Sequence, residues 1–197
     1  MPANDVPSPL AFPWYEQVPN TAGLQQGDLL DNFPVVVPAI AVADAPIEGG
    51  TEIELTGRVE HFNVVVMTQS CDFAKLSDND QVVLCPRLDY FAVAPQRKST
   101  KGPEGWKSLI NGRIIGVHLI NKCDIQGHAF NYQIVDLRQI FSVPLALVKR
   151  VVSNTIDRIR LCPPYREHLA QAFAQQFMRI GLPIDLPREM PSPPPQA

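Results

Sequence analysis

Hydrophobic positions along the chain fall into short runs broken by polar residues, glycines and prolines, the rhythm of a mainly β protein. Gly27-Asp28-Leu29-Leu30 opens the folded part, and Phe33 to Ile40 is apolar and β-branched. Pro34 and Pro38 lack the amide donor a central strand needs, so they place this stretch at a sheet edge or divide it in two. Residues 41–50 read as a loop closed by the turn signal Gly49-Gly50. Thr51 to Val59 alternates, Ile53 and Leu55 against Glu52 and Glu54, as a half-exposed strand does. Asn63 to Thr68 is a continuous apolar run suited to a strand buried on both faces, and Gln81 to Pro86 is another, joined by the polar Ser77-Asp78-Asn79-Asp80. These two runs predict the centre of the core.

Beyond Arg87 the pattern weakens. Gly102-Pro103-Glu104-Gly105 reads as a breaker and Trp106 to Ile110 as one helical turn. Arg113 to Asn121 and Phe130 to Val135 read as a hairpin around Lys122 to Gly127, with Asp136 to Ser142 extending or capping the second strand. Val143 to Val152 fits a short helix or strand. The clearest helix comes last: Tyr165, Leu169, Phe173, Phe177 and Ile180 trace one apolar stripe, Pro164 suits its first turn, and Gly181 with Pro183 stops it.

Composition bounds the molecule further. With 197 residues, 45% hydrophobic and 19% charged, the chain builds one sizeable core and not two. Five prolines in residues 1–20 and six in residues 183–197 mark both ends as flexible, leaving 21–182 as a single domain. A net charge of −3 weighs against a general nucleic-acid binder, which carries a basic excess; any such contact needs a local patch. The N-terminus has neither a basic leader nor an apolar core of a signal peptide, and no apolar run approaches the ~20 residues of a membrane span. A cytoplasmic protein with no membrane contact is therefore expected. Cys71, Cys85, Cys123 and Cys162 are far apart, without the close pairs of structural zinc sites, and read as buried reduced thiols. Neither metal nor cofactor is expected.

The order of a Gly27-Asp28 strand opening, a buried Val64-Val65-Val66-Met67-Thr68 strand, a polar turn, a Val82-Val83-Leu84-Cys85-Pro86 strand and a hairpin ending in Val135-Asp136-Leu137-Arg138 resembles the PemK/MazF group of small SH3-like barrels. The resemblance covers residues from about Gly27 to Val148 and implies a small barrel followed by the C-terminal amphipathic helix. It also implies a toxin–antitoxin or defence setting. Proteins of that group cut RNA with an arginine just before the first buried strand and a serine or threonine just after the second. Here Phe62-Asn63 and Pro86-Arg87 stand at those places, so the resemblance carries the barrel without its cleavage residues. Arg58 and Arg87 are the nearest substitutes.

The most unusual segment is Thr68-Gln69-Ser70-Cys71-Asp72, where polar side chains emerge directly after a buried strand. Thr68, Gln69, Ser70 and Asp72 are candidate binding residues. Cys71 is a candidate nucleophile with His118 as its base and Arg87 as a further catalytic candidate. The plainer reading makes this segment a turn whose hydroxyl and carboxylate bond local amides, with Cys71 filling space. Asp136 and Arg138, two apart on a strand, share a face and form a structural pair or line a polar site. No phosphate loop, H-E-x-x-H, G-x-S-x-G or dinucleotide fingerprint is present. Three functions follow in order: a binding or regulatory module acting on RNA or a protein partner, with a homodimer open; an endoribonuclease with displaced catalytic residues; and a cysteine enzyme centred on Cys71.

Overall fold

A computed structural model describes residues 12–39 and 56–178. The expected loop at 41–50, the first residues of the strand expected from Thr51, and the helix end at Ile180 to Pro183 with the tail behind it lie outside the described residues.

The two valine-rich runs are neighbouring strands, as their pattern predicts. β1 (Tyr15–Pro19), β2 (Asp28–Ala39), β3 (Thr56–Val66) and β4 (Gln81–Asp89) supply the first half of the sheet. A one-turn helix α1 (Tyr90–Val93), a 3-10 turn and α2 (Gly102–Ile110) follow. Then come β5 (Val117–Ile120), β6 (Gln133–Asp136), β7 (Phe141–Pro144), α3 (Leu145–Ser153), β8 (Asp157–Leu161) and α4 (Tyr165–Phe177). All pairings are antiparallel, in the order β1-β8-β2-β3-β4-β6-β5, with β7 also beside β4.

Val64, Val65 and Val66 are each fully buried, and successive side chains serve opposite faces. Val65 joins Tyr15, Leu29, Cys85, Val135, Leu137 and Leu169 on one face. Val64 and Val66 join Phe33, Val82, Leu84, Val143 and Val148 on the other. α4 therefore covers one side of the sheet and α3 the other.

The sheet is open, which corrects the expected closed barrel. Its two outermost strands still approach: the Tyr15 hydroxyl, on β1, donates to the Asn121 carbonyl just past β5 at 2.5 Å. The Tyr15 ring meets Phe130 edge-on at 5.4 Å. Side chains rather than a hydrogen-bond ladder bring the ends together.

Several expected boundaries also change. Tyr15 to Pro19, inside the stretch expected to be flexible, is a paired strand. The expected breaker at Gly102 to Gly105 is the first turn of α2, where a proline forfeits no internal hydrogen bond. The expected strand from Arg113 starts only at Val117; Gly116 (φ 84°) turns the chain into it, and a Cβ there would lie 2.8 Å from the Arg138 side chain. The α4 stripe buries Leu169 fully and Phe173 partly, while Phe177 is exposed.

Strands β1 and β8 are held to β2 by a buried cluster of charges. Asp28 is fully buried and accepts from Arg158 Nε at 2.8 Å, from Arg160 Nε at 2.5 Å and from the Gln25 amide at 3.1 Å. Other guanidinium nitrogens, both terminal ones of Arg158 and one of Arg160, reach carbonyls of Pro19, Ala22 and Gly23 at 2.6–3.1 Å. Removing one partner leaves an uncompensated interior charge. Asp28→Ala is expected to lower stability by about 3–5 kcal/mol, read from urea unfolding; a loss below about 1 kcal/mol would show the arginines resolvating freely.

Candidate functional site

The segment from Thr68 to Asp72 is a turn stitched into the scaffold. The Thr68 hydroxyl accepts from the Val83 amide at 2.8 Å, and the Ser70 hydroxyl accepts from the Gln26 amide at 3.1 Å. The Asp72 amide donates to the Gln69 carbonyl at 3.0 Å, while Gln69 itself is exposed. Cys71 is exposed rather than buried, and its Sγ lies 3.8 Å from both Gln69 Oε1 and Asp72 Oδ1. Among the described residues, no polar contact joins Cys71 or Asp72 to Arg87 or His118.

Arg87 instead lies in the interior beneath the sheet's seam. Its side chain is 2% exposed. It pairs with Asp31, donates to Gln133 Oε1 at 2.5 Å and sits 5.0 Å from the Phe130 ring centroid. Burial holds the guanidinium pKa below its usual value, and Asp31 opposes that shift. Asp136 and Arg138 do pair, in a two-pronged contact with both N···O distances at 2.9 Å, and Arg97 adds a third bond at 2.9 Å. Burial works to raise the Asp136 pKa, but these guanidinium bonds outweigh it and hold the carboxyl low. This cluster braces the end of β6 against the segment after α1.

His118 opens onto a different place, an aromatic cleft of about 410 Å³ that sequence reading did not find. Its walls are Trp14, which precedes β1; Trp106, Leu109 and Ile110 of α2; His118 and Leu119 of β5; Tyr132, which precedes β6; and Tyr165 and His168 of α4. Trp14 and Tyr165 are stacked, with centroids 3.6 Å apart and planes inclined by 9°. Trp106 meets Tyr132 edge-on at 5.0 Å and Tyr90 at 4.9 Å. The cleft thus forms where the two ends of the open sheet approach, with α2 and α4 completing it. The four rings stand far apart in sequence (14, 106, 132 and 165), so no local spacing reveals them.

Burial, and secondly the neighbouring His168, lower the His118 pKa to about 4. A neutral imidazole offers one donor and one acceptor. The cleft therefore combines flat apolar walls with a small hydrogen-bonding edge, which fits a planar, partly polar ligand. A larger hollow of about 480 Å³ between α3 and residues 20–24 is walled by Leu24, Phe73, Ala74, Leu145 and Val152. Its one lysine, Lys149, is already bound to Asp78 at 2.8 Å. No group of three His, Cys, Asp or Glu that could hold a metal ion occurs among the described residues. No helix of the described residues is long and apolar enough to cross a membrane.

Fold and site together define a mainly β protein with an open antiparallel sheet and an aromatic cleft at its seam. Compared with known proteins, the chain matches no family model and no curated sequence.

Two outcomes follow. An unfolded histidine titrates near 6.5 and folded His118 near 4, so the unfolded chain takes the proton first on acidification. The contribution of neutral His118 is complete above about 6.5 and disappears as pH falls towards 4. His118→Gln should flatten stability across that window in urea titrations, and an unchanged slope would refute the assignment. Iodoacetamide should modify exposed Cys71 ahead of buried Cys85 and Cys123, read by mass spectrometry, and labelling of either buried thiol first would refute this order. Labelling of Cys71 far faster than of a free thiol would support it as a nucleophile.

Proposed function

We propose that this chain is a binding module for single-stranded RNA, taking an unpaired base into the cleft of Trp14, Trp106, Tyr132 and Tyr165 without cutting the strand. The observation that carries the reading is the cleft itself: four aromatic rings and a neutral histidine at one opening. Unpaired bases present π faces for stacking and polar edges for hydrogen bonds, and double helices present neither to such a pocket. Lys107 and Arg113 are exposed on the chain beside cleft residues, and no ion pair engages either among the described residues. They supply local positive charge for phosphates on a chain whose net charge is −3. The resemblance to PemK/MazF barrels supports the RNA class. The absence of that group's cleavage residues supports binding over cleavage, and so does the enclosure of Arg87, whose side chain is 2% exposed.

Tryptophan fluorescence titrated with short single-stranded oligoribonucleotides should show saturable quenching. Trp106→Ala should weaken binding by about 5- to 150-fold, the cost of one stacked base. No saturable change with any RNA sequence would defeat the reading. Cleavage of the bound RNA, abolished by Arg58→Ala, would favour the ribonuclease instead.

A further inference from the structure

Beyond Leu29 and Val64 the strands β2 and β3 leave the body of the sheet as a two-stranded ribbon. β8 pairs with β2 only at Asp28 and Leu29, and β4 pairs with β3 only at Val64 to Val66. From Phe33–Phe62 to Ala39–Thr56 the two strands pair with each other alone.

The two edges of this ribbon differ. The Met67 amide donates to Val83 on β4, and the Val66 carbonyl accepts from Gly27 on the β2 side. Peptide groups alternate in direction along a strand, so residues 57, 59 and 61 aim theirs away from β2, and residues 34, 36 and 38 aim theirs away from β3. On β2 two of those three are Pro34 and Pro38, which have no N–H to offer, so that edge is closed. On β3 the three are Gly57, Val59 and His61, all exposed, each with a donor and an acceptor and no strand beside them among the described residues. Val59 and its cross-strand neighbour Val36 are also 60% and 68% exposed on the same ribbon face.

We propose that the open edge of β3 pairs antiparallel with the same edge of a second copy, about a two-fold axis through Val59. Val59 then lies opposite the partner's Val59, and Gly57 opposite the partner's His61. Three closely bonded residue pairs give about six backbone hydrogen bonds. Val36 and Val59 from both protomers form one apolar row across the join. On the other face Arg58 lies opposite the partner's Glu60, and Glu60 opposite the partner's Arg58. Charge also selects the register: an axis through Arg58 or through Glu60 sets like charges face to face. Arg-Val-Glu is thus self-complementary under a two-fold, and this favours a second copy over an unrelated strand. The interface is small, so the dimer dissociates on dilution.

Sedimentation equilibrium of the full chain tests this directly. The wild type should show a concentration-dependent monomer–dimer equilibrium. Val59→Lys, which places two ammonium groups at the axis, should abolish dimerisation with circular dichroism and melting unchanged. Arg58→Glu should weaken the dimer by about tenfold, and Arg58→Glu combined with Glu60→Arg should restore it. A wild type that stays monomeric at every concentration overturns the proposal. So does a dimer that survives Val59→Lys, or a double charge exchange no better than the single one.

Discussion

Asp28 enters the interior with a negative charge and meets two guanidinium groups there. Desolvating three ions is expensive, and their mutual attraction offsets that cost only when geometry is good and the remaining donors are bonded. The geometry is good, and every donor nitrogen of Arg158 and two of Arg160 are bonded. The carboxylate accepts from both arginines, and the excess positive charge is shared among the carbonyls of Pro19, Ala22 and Gly23. One cluster therefore ties together β2, β8 and the segment after β1. Without β1 the Tyr15 hydroxyl has no route to Asn121, and the two ends of the sheet lose their side-chain bridge. The cleft depends on that bridge, because Trp14 directly precedes Tyr15 and stacks on Tyr165 of α4.

β4 explains why the sheet curls without closing. Its first residues pair with β7, its middle with β3 and its last with β6. A strand that exchanges partners along its length directs the sheet on either side of it differently. The valine run of β3 packs both faces at the centre, while β5 and β6 are carried round towards β1. α2 and α4 then fill the remaining gap, and their aromatic residues become the walls of the cleft.

The central strands were legible because apolar, β-branched runs have one economical solution, burial on both faces, and Val64 to Val66 adopt it. The edge character of β2 was legible too, since Pro34 and Pro38 can only face outward. β8 was not. Asp157-Arg158-Ile159-Arg160-Leu161 alternates charged and apolar residues; a distant aspartate makes the burial of Arg158 and Arg160 tolerable, and nothing local announces it. α2 was misplaced because a proline that breaks a helix interior is neutral in a first turn. The segment from Thr68 to Cys71 was correctly located at the end of a buried strand. Its Thr68 and Ser70 hydroxyls accept from the amides of Val83 and Gln26.

His118 faces apolar rings and a second histidine, and burial first and His168 second hold its pKa down at about 4. A base poised to activate a thiol must accept its proton near neutral pH, and a group titrating near 4 does so poorly. A hydrogen-bonding edge that keeps one charge state across the physiological range has no such difficulty. The environment of His118 therefore disfavours the thiol chemistry its position in the sequence invited, and it favours a site whose task is to hold a neutral, flat group in place.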